Sequence, residues 1–230
     1  NTAIGFMAGQ ATTTGCGNTD LGSHAMYTNT TGCRNTASGY YALFKNTTGG
    51  YNVATGYQAM RCNTTASNNT AVGGCALFAN TTASCNSALG SRALACNTTG
   101  AGNTASGFYA LKANTTGGTN NAVGSYTMVA NTTGQHNVAM GNSALGANTT
   151  ANENTAIGHN TLYSNTTGTS NTGIGFRTLC ASTTASYNAA VGSGALCSNT
   201  TGCFNTAIGF QALRVNTTAC HNTASGYRAL

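Results

Sequence analysis

The sequence predicts an all-β protein, a parallel β-solenoid built from coils of 17 residues. The unit NTAIGFQALRVNTTACH, residues 205–221, recurs every 17 residues without insertion or deletion back to Asn1, which gives about 13.5 coils. Self-similarity at a short fixed period is typical of solenoids, and helix-pair repeats need roughly 33 residues or more. The unit is also rich in Thr, which favours strands, and in Gly, which favours tight turns. We therefore predict one continuous domain over residues 1–230, an excerpt of a longer array whose caps are not present.

The unit contains fixed positions when it is numbered 1 to 17 from its first Asn. Position 5 is Gly in all fourteen copies, position 9 is Leu or Met except for Gly9, and position 4 is mostly aliphatic. We predict two short strands at positions 2–6 and 7–11 and turns at positions 12–15. The side chains of positions 4 and 9 are expected to line a thin core around a corner after position 6. The invariant Gly indicates a bulge or a close approach of neighbouring backbone.

Position 1 is Asn in every copy. Stacked coils would place these side chains in one column, in which each amide donates to one neighbouring coil and accepts from the other. The predicted ladder consists of Asn1, Asn18, Asn35, Asn52, Asn69, Asn86, Asn103, Asn120, Asn137, Asn154, Asn171, Asn188, Asn205 and Asn222.

The composition excludes several classes of protein. Only 4% of residues are charged, and eight Lys and Arg against two acids give a net charge of +6. The charges are scattered along the chain without a run, whereas nucleic-acid binding needs a concentrated basic footprint, so no nucleic-acid partner is expected. No apolar run reaches 18 residues, so no membrane span is expected. Disorder would suit so polar a composition, but the unbroken period and the recurring aliphatic positions argue against it.

Cysteines fall at matching positions of successive coils. In-register neighbours would have Cα atoms roughly 4.8 Å apart, inside the range for a disulfide. We predict three inter-coil disulfides, which would indicate an oxidising, extracellular setting. The predicted pairs are Cys16 with Cys33, Cys180 with Cys197, and Cys203 with Cys220. Cys62, Cys75, Cys85 and Cys96 have no assigned partner, and no CxxC spacing points to zinc.

Position 12 opens an Asn-Thr-Thr sequon in eleven coils, so covalent N-glycans are a candidate modification. The alternative is a second structural column of Asn and Thr, favoured because the Thr pair persists where Thr12 and Ser182 replace the Asn. The candidate acceptors are Asn29, Asn46, Asn63, Asn80, Asn97, Asn114, Asn131, Asn148, Asn165, Asn199 and Asn216, together with Asn68.

Catalysis is not expected, and we predict no enzyme activity, no metal and no cofactor. The histidines are His24, His136, His159 and His221, and Asp20 and Glu153 are the only acids. His136 and Glu153 share position 17 of successive coils, which predicts a surface ion pair, because general acid–base chemistry needs further convergent groups.

The segment NTAIGFQAL followed by NTT resembles the NTAxGxxALxxNTTG arrays of bacterial surface and phage tail-fibre-like proteins, over the whole chain. More distantly it is similar to the head repeats of trimeric autotransporter adhesins, which build a β-roll. This resemblance implies an extracellular fibre or adhesin at a cell or virion surface.

We therefore expect a non-catalytic structural fibre, filament or adhesin rod used for surface display or attachment. The expected partners are other copies of the chain, by end-to-end stacking, lateral packing or a homotrimer, and surface glycans. A heavily N-glycosylated filament subunit is the first alternative. The second is an ice-binding solenoid, suggested by the unbroken Thr columns at positions 13 and 14, although adjacent Thr would face opposite sides of a strand.

Overall fold

The computed structural model describes all residues from 1 to 230, and its contacts divide them into two compact units, Asn1–Gly117 and Gly118–Leu230. Each unit is a parallel β-solenoid with one three-residue strand per 17-residue coil and no helix. The predicted fold class is confirmed, whereas a single continuous domain stays a prediction. The first unit contains β1 (Thr2–Ile4), β2 (Thr19–Leu21), β3 (Thr36–Ser38), β4 (Val53–Thr55), β5 (Thr70–Val72), β6 (Ser87–Leu89) and β7 (Thr104–Ser106). The second contains β8 (Asn121–Val123), β9 (Val138–Met140), β10 (Thr155–Ile157), β11 (Thr172–Ile174), β12 (Ala189–Val191), β13 (Thr206–Ile208) and β14 (Thr223–Ser225).

Neighbouring strands within each unit pair in register, one coil apart. Thr36 lies beside Val53 and Thr70 beside Ser87, and every other pair follows the same step of 17 residues. Backbone bonds between coils continue outside the strands, for example from the N–H of Met26 to the carbonyl of Ala42 at 3.0 Å. Each coil is therefore held chiefly by its neighbours, as expected for a solenoid.

The core differs from the prediction at position 4. Ile4 is 63% exposed and Ile208 is 50% exposed, whereas the Ala at position 3 is buried in nearly every coil. Successive side chains of a strand alternate in direction, so an inward position 3 forces positions 2 and 4 outward. The core instead consists of the small residues at positions 3 and 8, the Leu or Met at position 9, and two columns of Asn.

The second predicted strand, positions 7–11, is wrong. Positions 7 and 9 have positive φ, as in Tyr41 at 57° and Leu43 at 50°, and this left-handed conformation is incompatible with an extended strand. The segment is a chain of turns that brings the buried Leu43 and its equivalents inward. Position 17 has the same conformation, for example φ 59° at Tyr51.

The invariant Gly at position 5 is confirmed as a point of close backbone approach. Gly39 has φ 140°, and a Cβ placed on it would lie 2.5 Å from the carbonyl oxygen of Gly56 in the next coil. No side chain fits there, which explains the invariance. The structure contains no helix with the length and hydropathy to cross a membrane.

Candidate functional site

The predicted Asn ladder at position 1 is present in the structure. The Oδ1 of Asn35 accepts from both the backbone N–H and the Nδ2 of Asn52, at 2.9 and 3.1 Å. The Nδ2 of Asn52 also donates to the carbonyl of Ala66 at 2.8 Å. Most of these side chains are buried, so the ladder satisfies amides that would be costly to bury alone.

The sequon Asn residues at position 12 form a second buried ladder. Asn46 Nδ2 donates to Asn29 Oδ1 and to the carbonyl of Gly49, both at 2.9 Å. The carbonyl at position 15 therefore accepts hydrogen bonds from both Asn columns, since the carbonyl of Gly49 also accepts from Asn35 Nδ2 at 2.9 Å. Ten of the eleven position-12 sequon residues are fully buried, and Asn216 is half-buried. Asn68, at position 17, is exposed.

The ladder is interrupted at Ser182. The Oδ1 of Asn165, which would accept from an Asn in the next coil, has no hydrogen-bond partner, and neither does the buried hydroxyl of Ser182. Two unsatisfied buried groups result from this single departure from the repeat.

The two Thr residues at positions 13 and 14 have different roles. The hydroxyl of Thr47, at position 13, donates to the carbonyl of Thr64 at 3.0 Å, and the same bond recurs along the column. The Thr at position 14 is exposed in every coil. The two columns therefore do not form one flat face, as the opposite directions of adjacent side chains predict.

All ten cysteines are free thiols in the structure. The Sγ atoms of Cys16 and Cys33 lie 3.0 Å apart, and the Cys33 sulfur accepts from both the thiol and the backbone N–H of Cys16. These hydrogen bonds lower the pKa of the Cys33 thiol, while the bond that the Cys16 thiol donates raises the pKa of Cys16. The three disulfides remain predictions, and this geometry brings one pair close to bonding distance.

Position 16 forms a further hydrogen-bonded column that is not among the sequence-based predictions. Its side chain accepts from the backbone N–H of position 16 in the preceding coil: Ser67 from Gly50 at 3.0 Å, and Cys220 from Cys203 at 3.0 Å. Nine of the thirteen residues here are Ser, Thr, Asn or Cys, an enrichment that could have revealed the column.

The outward side chains of positions 2, 4 and 6 form a surface that we call the strand face. It contains no Lys, Arg, Asp or Glu, and seventeen of the twenty-five exposed large apolar side chains belong to it. Aromatic residues at position 6 stack between neighbouring coils, with the rings of Tyr40 and Tyr57 5.9 Å apart and those of Phe210 and Tyr227 5.4 Å apart.

The columns of positions 7 and 10 flank a second surface, the basic groove. Three cations lie along it in each unit: Arg61, Arg92 and Lys112 in the first, and Arg177, Arg214 and Arg228 in the second. These are six of the eight Lys and Arg residues, so charges that are scattered in the sequence share one surface within each unit.

Aromatic rings at positions 7 and 10 pack against the cations of the groove. Arg61 lies over the rings of Tyr41 and Phe44 at 5.4 and 5.8 Å, and Lys112 lies over Tyr109 at 4.7 Å. Cation–π contacts of this kind hold the charged groups at the surface in fixed orientations.

Catalytic groups do not converge. His136 Nδ1 lies 2.7 Å from the hydroxyl of Thr119, and Glu153 accepts from Ser170 at 3.0 Å, so the two side chains of the predicted ion pair turn to different partners. No group of three or more His, Cys, Asp or Glu side chains is arranged to hold a metal. Asp20 is buried with one carboxylate oxygen unpartnered, and desolvation raises its pKa to about 6.

Comparisons with protein-family models, with curated proteins and with solved structures find no match to this chain.

Proposed function

We propose that the chain is a non-catalytic structural repeat of an extracellular fibre or adhesin, and that it assembles laterally with other copies of itself through the strand face. The observation that carries this proposal is the absence of charged residues from that face in both units, together with its exposed apolar side chains, which lie mainly at positions 4 and 6. Contiguous exposed apolar surface on a protein marks an interaction site. The resemblance of the 17-residue repeat to repeats of surface-fibre proteins supports the extracellular location.

A second copy is the occupant that fits this face. The exposed side chains recur at every coil, roughly 4.8 Å apart along the sheet, and another copy presents the same columns at the same spacing. The Lys and Arg side chains belong to positions 7, 10, 11 and 17, so two strand faces can meet without placing like charges opposite each other.

The two alternative functions, a heavily N-glycosylated filament subunit and an ice-binding solenoid, receive less support. An N-linked sugar replaces a hydrogen on Nδ2, and in most of the position-12 residues that nitrogen already donates to two buried partners, as in Asn46. Only the position-14 column of the Thr pair is exposed, which removes the two-column Thr surface on which the ice-binding alternative depends.

Light scattering of size-separated protein over a range of concentrations tests the assembly. We expect the unsubstituted chain to associate and the double variant Ile174→Lys with Ile208→Lys to have a dissociation constant raised at least about tenfold, since like charges would then meet at the interface. The matched control places the same charges at exposed position 14, as Thr184→Lys with Thr201→Lys, and should associate normally. A chain that stays monomeric at every concentration, or a control that dissociates equally, would contradict the proposal.

A further inference from the structure

Each unit contains a recess in its basic groove where one coil carries a small side chain. In the first unit Ala95 occupies position 10 between Phe78 and Lys112, and the recess of about 280 Å³ is lined also by Arg92. In the second unit Gly194 occupies position 7 between Arg177 and Gln211, and the recess of about 220 Å³ is lined also by Arg214. The small residue belongs to a different column in the two recesses, but each recess combines one cation from the position-7 column with one from the position-10 column.

The charge in both recesses is of one sign. Of the two acids, Asp20 is buried at position 3 and Glu153 is bonded to Ser170 at position 17, so neither lines a recess. Burial raises the pKa of the Cys197 thiol in the second recess, which keeps that group neutral at neutral pH. Two cations without a compensating acid form a site for an anion.

The cations keep donors for a ligand. Arg92 donates one bond to the hydroxyl of Tyr109 at 2.9 Å, and a guanidinium has five N–H donors. Arg177 donates to the sulfur of Cys180 and likewise retains further donors. A carboxylate or sulfate group can accept from both walls of such a recess.

We propose that the basic groove binds a linear acidic polysaccharide, with a carboxylate or sulfate of the sugar chain seated in each recess between Arg92 and Lys112 and between Arg177 and Arg214. The hydroxyl-rich sugar backbone then lies along the groove, where Gln58 and Gln211 supply amides beside the cations. The first recess contains no residue of the strand face, so the proposal does not depend on lateral assembly. The second recess borders that face, because Phe176 and Ser193 at position 6 also line it.

A nucleic acid fits the groove less well. Each strand of a DNA duplex carries a phosphate every ~3.4 Å of helix axis, whereas the groove offers three cations in seven coils of roughly 4.8 Å each. Single-strand binders also need aromatic faces on which bases stack. In the first unit Arg61 covers Tyr41, Phe44 and Phe78, and Arg92 and Lys112 cover Tyr109.

Titration calorimetry at physiological ionic strength tests the proposal. The probes are a heparin-derived oligosaccharide, a polygalacturonate oligosaccharide, neutral dextran and an oligothymidylate of equal charge. We expect one or both acidic oligosaccharides to bind, dextran not to bind, and the oligothymidylate to bind more weakly. The two acidic probes distinguish sulfate from carboxylate as the preferred group.

Variants locate the site. The quadruple change Arg92→Gln, Lys112→Gln, Arg177→Gln and Arg214→Gln should weaken binding by about a hundredfold or more, since each recess loses two charge-assisted contacts. The pair Arg34→Gln and Lys45→Gln, outside the groove, should change the affinity less than about threefold, as expected for loss of long-range attraction alone.

Filling the recesses provides a test that leaves the charge unchanged. Ala95→Phe with Gly194→Gln places side chains that the same columns already hold at Phe78 and Gln211, so the fold is expected to persist while binding is lost. Retention of binding by the filled variant, equal losses in the groove and control variants, tighter binding of oligothymidylate, or no binding of either acidic oligosaccharide would each overturn the proposal.

Discussion

Asp20 occupies the space that a side chain on Gly9 would need: a Cβ on Gly9 would lie 2.6 Å from Asp20 Oδ2. Gly9 is the only exception to Leu or Met at position 9, and Asp20 is the only charged residue at position 3. These two departures from the repeat, in neighbouring coils, therefore have a single steric cause. Gly173 and Thr161 are related in the same way, since a Cβ on Gly173 would lie 2.8 Å from Thr161 Cγ2.

Restoring both repeat residues should stabilise the first coils. Gly9→Leu alone is expected to lower the melting temperature because it clashes with Asp20. Gly9→Leu with Asp20→Ala should raise stability above that of the unsubstituted chain by about 1–2 kcal/mol, through apolar burial and removal of an unpartnered carboxylate. Thermal denaturation monitored by circular dichroism measures both. A double variant no more stable than Gly9→Leu alone would refute the coupling.

Stability should decrease as pH rises through the titration of Asp20. Its folded pKa of about 6 lies above the ordinary value of 3.8, so the folded state binds the proton more tightly and stability is greatest below pH ~4. We expect about 1–2 kcal/mol to be lost between pH ~4 and pH ~6.5, less than the full pKa difference because water screens the group. Denaturant titrations across this range should show the slope in Glu153→Gln and not in Asp20→Ala. A slope that survives Asp20→Ala would assign the titration to another group.

Ser182→Asn should repair the ladder. The new amide would donate to Asn165 Oδ1 and replace the unpartnered hydroxyl, which predicts a gain of about 1–3 kcal/mol in the free energy of unfolding. Thr184→Asn, two residues away and exposed, is the control and should change stability by less than about 0.5 kcal/mol. Conversely, Asn63→Ser should destabilise the chain, because it removes the donor to Asn46 Oδ1. Equal stabilities for the Ser182→Asn variant and the unsubstituted chain would show that the ladder bond contributes nothing net.

Mild oxidation should join Cys16 to Cys33. The thiolate of Cys33 is stabilised by two hydrogen bonds and is the expected nucleophile. Closing a loop of this length should add about 3 kcal/mol to stability. Peptide mapping without reduction detects the linked peptides. Cys33→Ser should abolish the link and the gain, whereas Cys85→Ser, at an exposed thiol outside the predicted pairs, should leave both unchanged.

Glycosylation, where the host supplies it, should be confined to Asn68. Its side chain is exposed at position 17, whereas a sugar on a position-12 residue such as Asn97 would displace a buried ladder bond. Mass spectrometry of peptides from folded, secreted protein measures the occupancy of each site, and Asn68→Gln should remove the sugar. Substantial occupancy at Asn97 or another fully buried position would contradict this prediction.

Much of the fold is predictable because the period fixes the register. The 17-residue step, the ladder at position 1 and the close approach at Gly5 all follow from the repeat. The strand predicted at positions 2–6 is shorter in the structure, since it ends at position 4, directly before the Gly with positive φ. Hydropathy assigns Ile4 to the core. Successive side chains of a strand point in opposite directions, however, so the inward Ala3 leaves Ile4 facing outward, and hydropathy alone does not show which of the two points inward. The turns at positions 7–11 escape prediction because Leu and Tyr rarely adopt positive φ.

The basic groove does not show in the sequence as a run. Arg92 and Lys112 are twenty residues apart, and they share one recess only because the coil brings position 7 of one turn beside position 10 of the next. Small residues such as Ala95 and Gly194, which create the recesses, do not stand out in an Ala- and Gly-rich chain.

The uniform coil length affects how such a chain can change during evolution. Because every coil donates and accepts the same bonds, duplicating or deleting one whole unit of coding sequence replaces one interface by an equivalent one. An insertion of a single residue upstream would instead move Tyr51 into the place of Asn52 and leave Asn35 Oδ1 without its donors. Gene slippage by whole units is therefore tolerated while smaller slips are eliminated, so chain length is free to vary in steps of one coil.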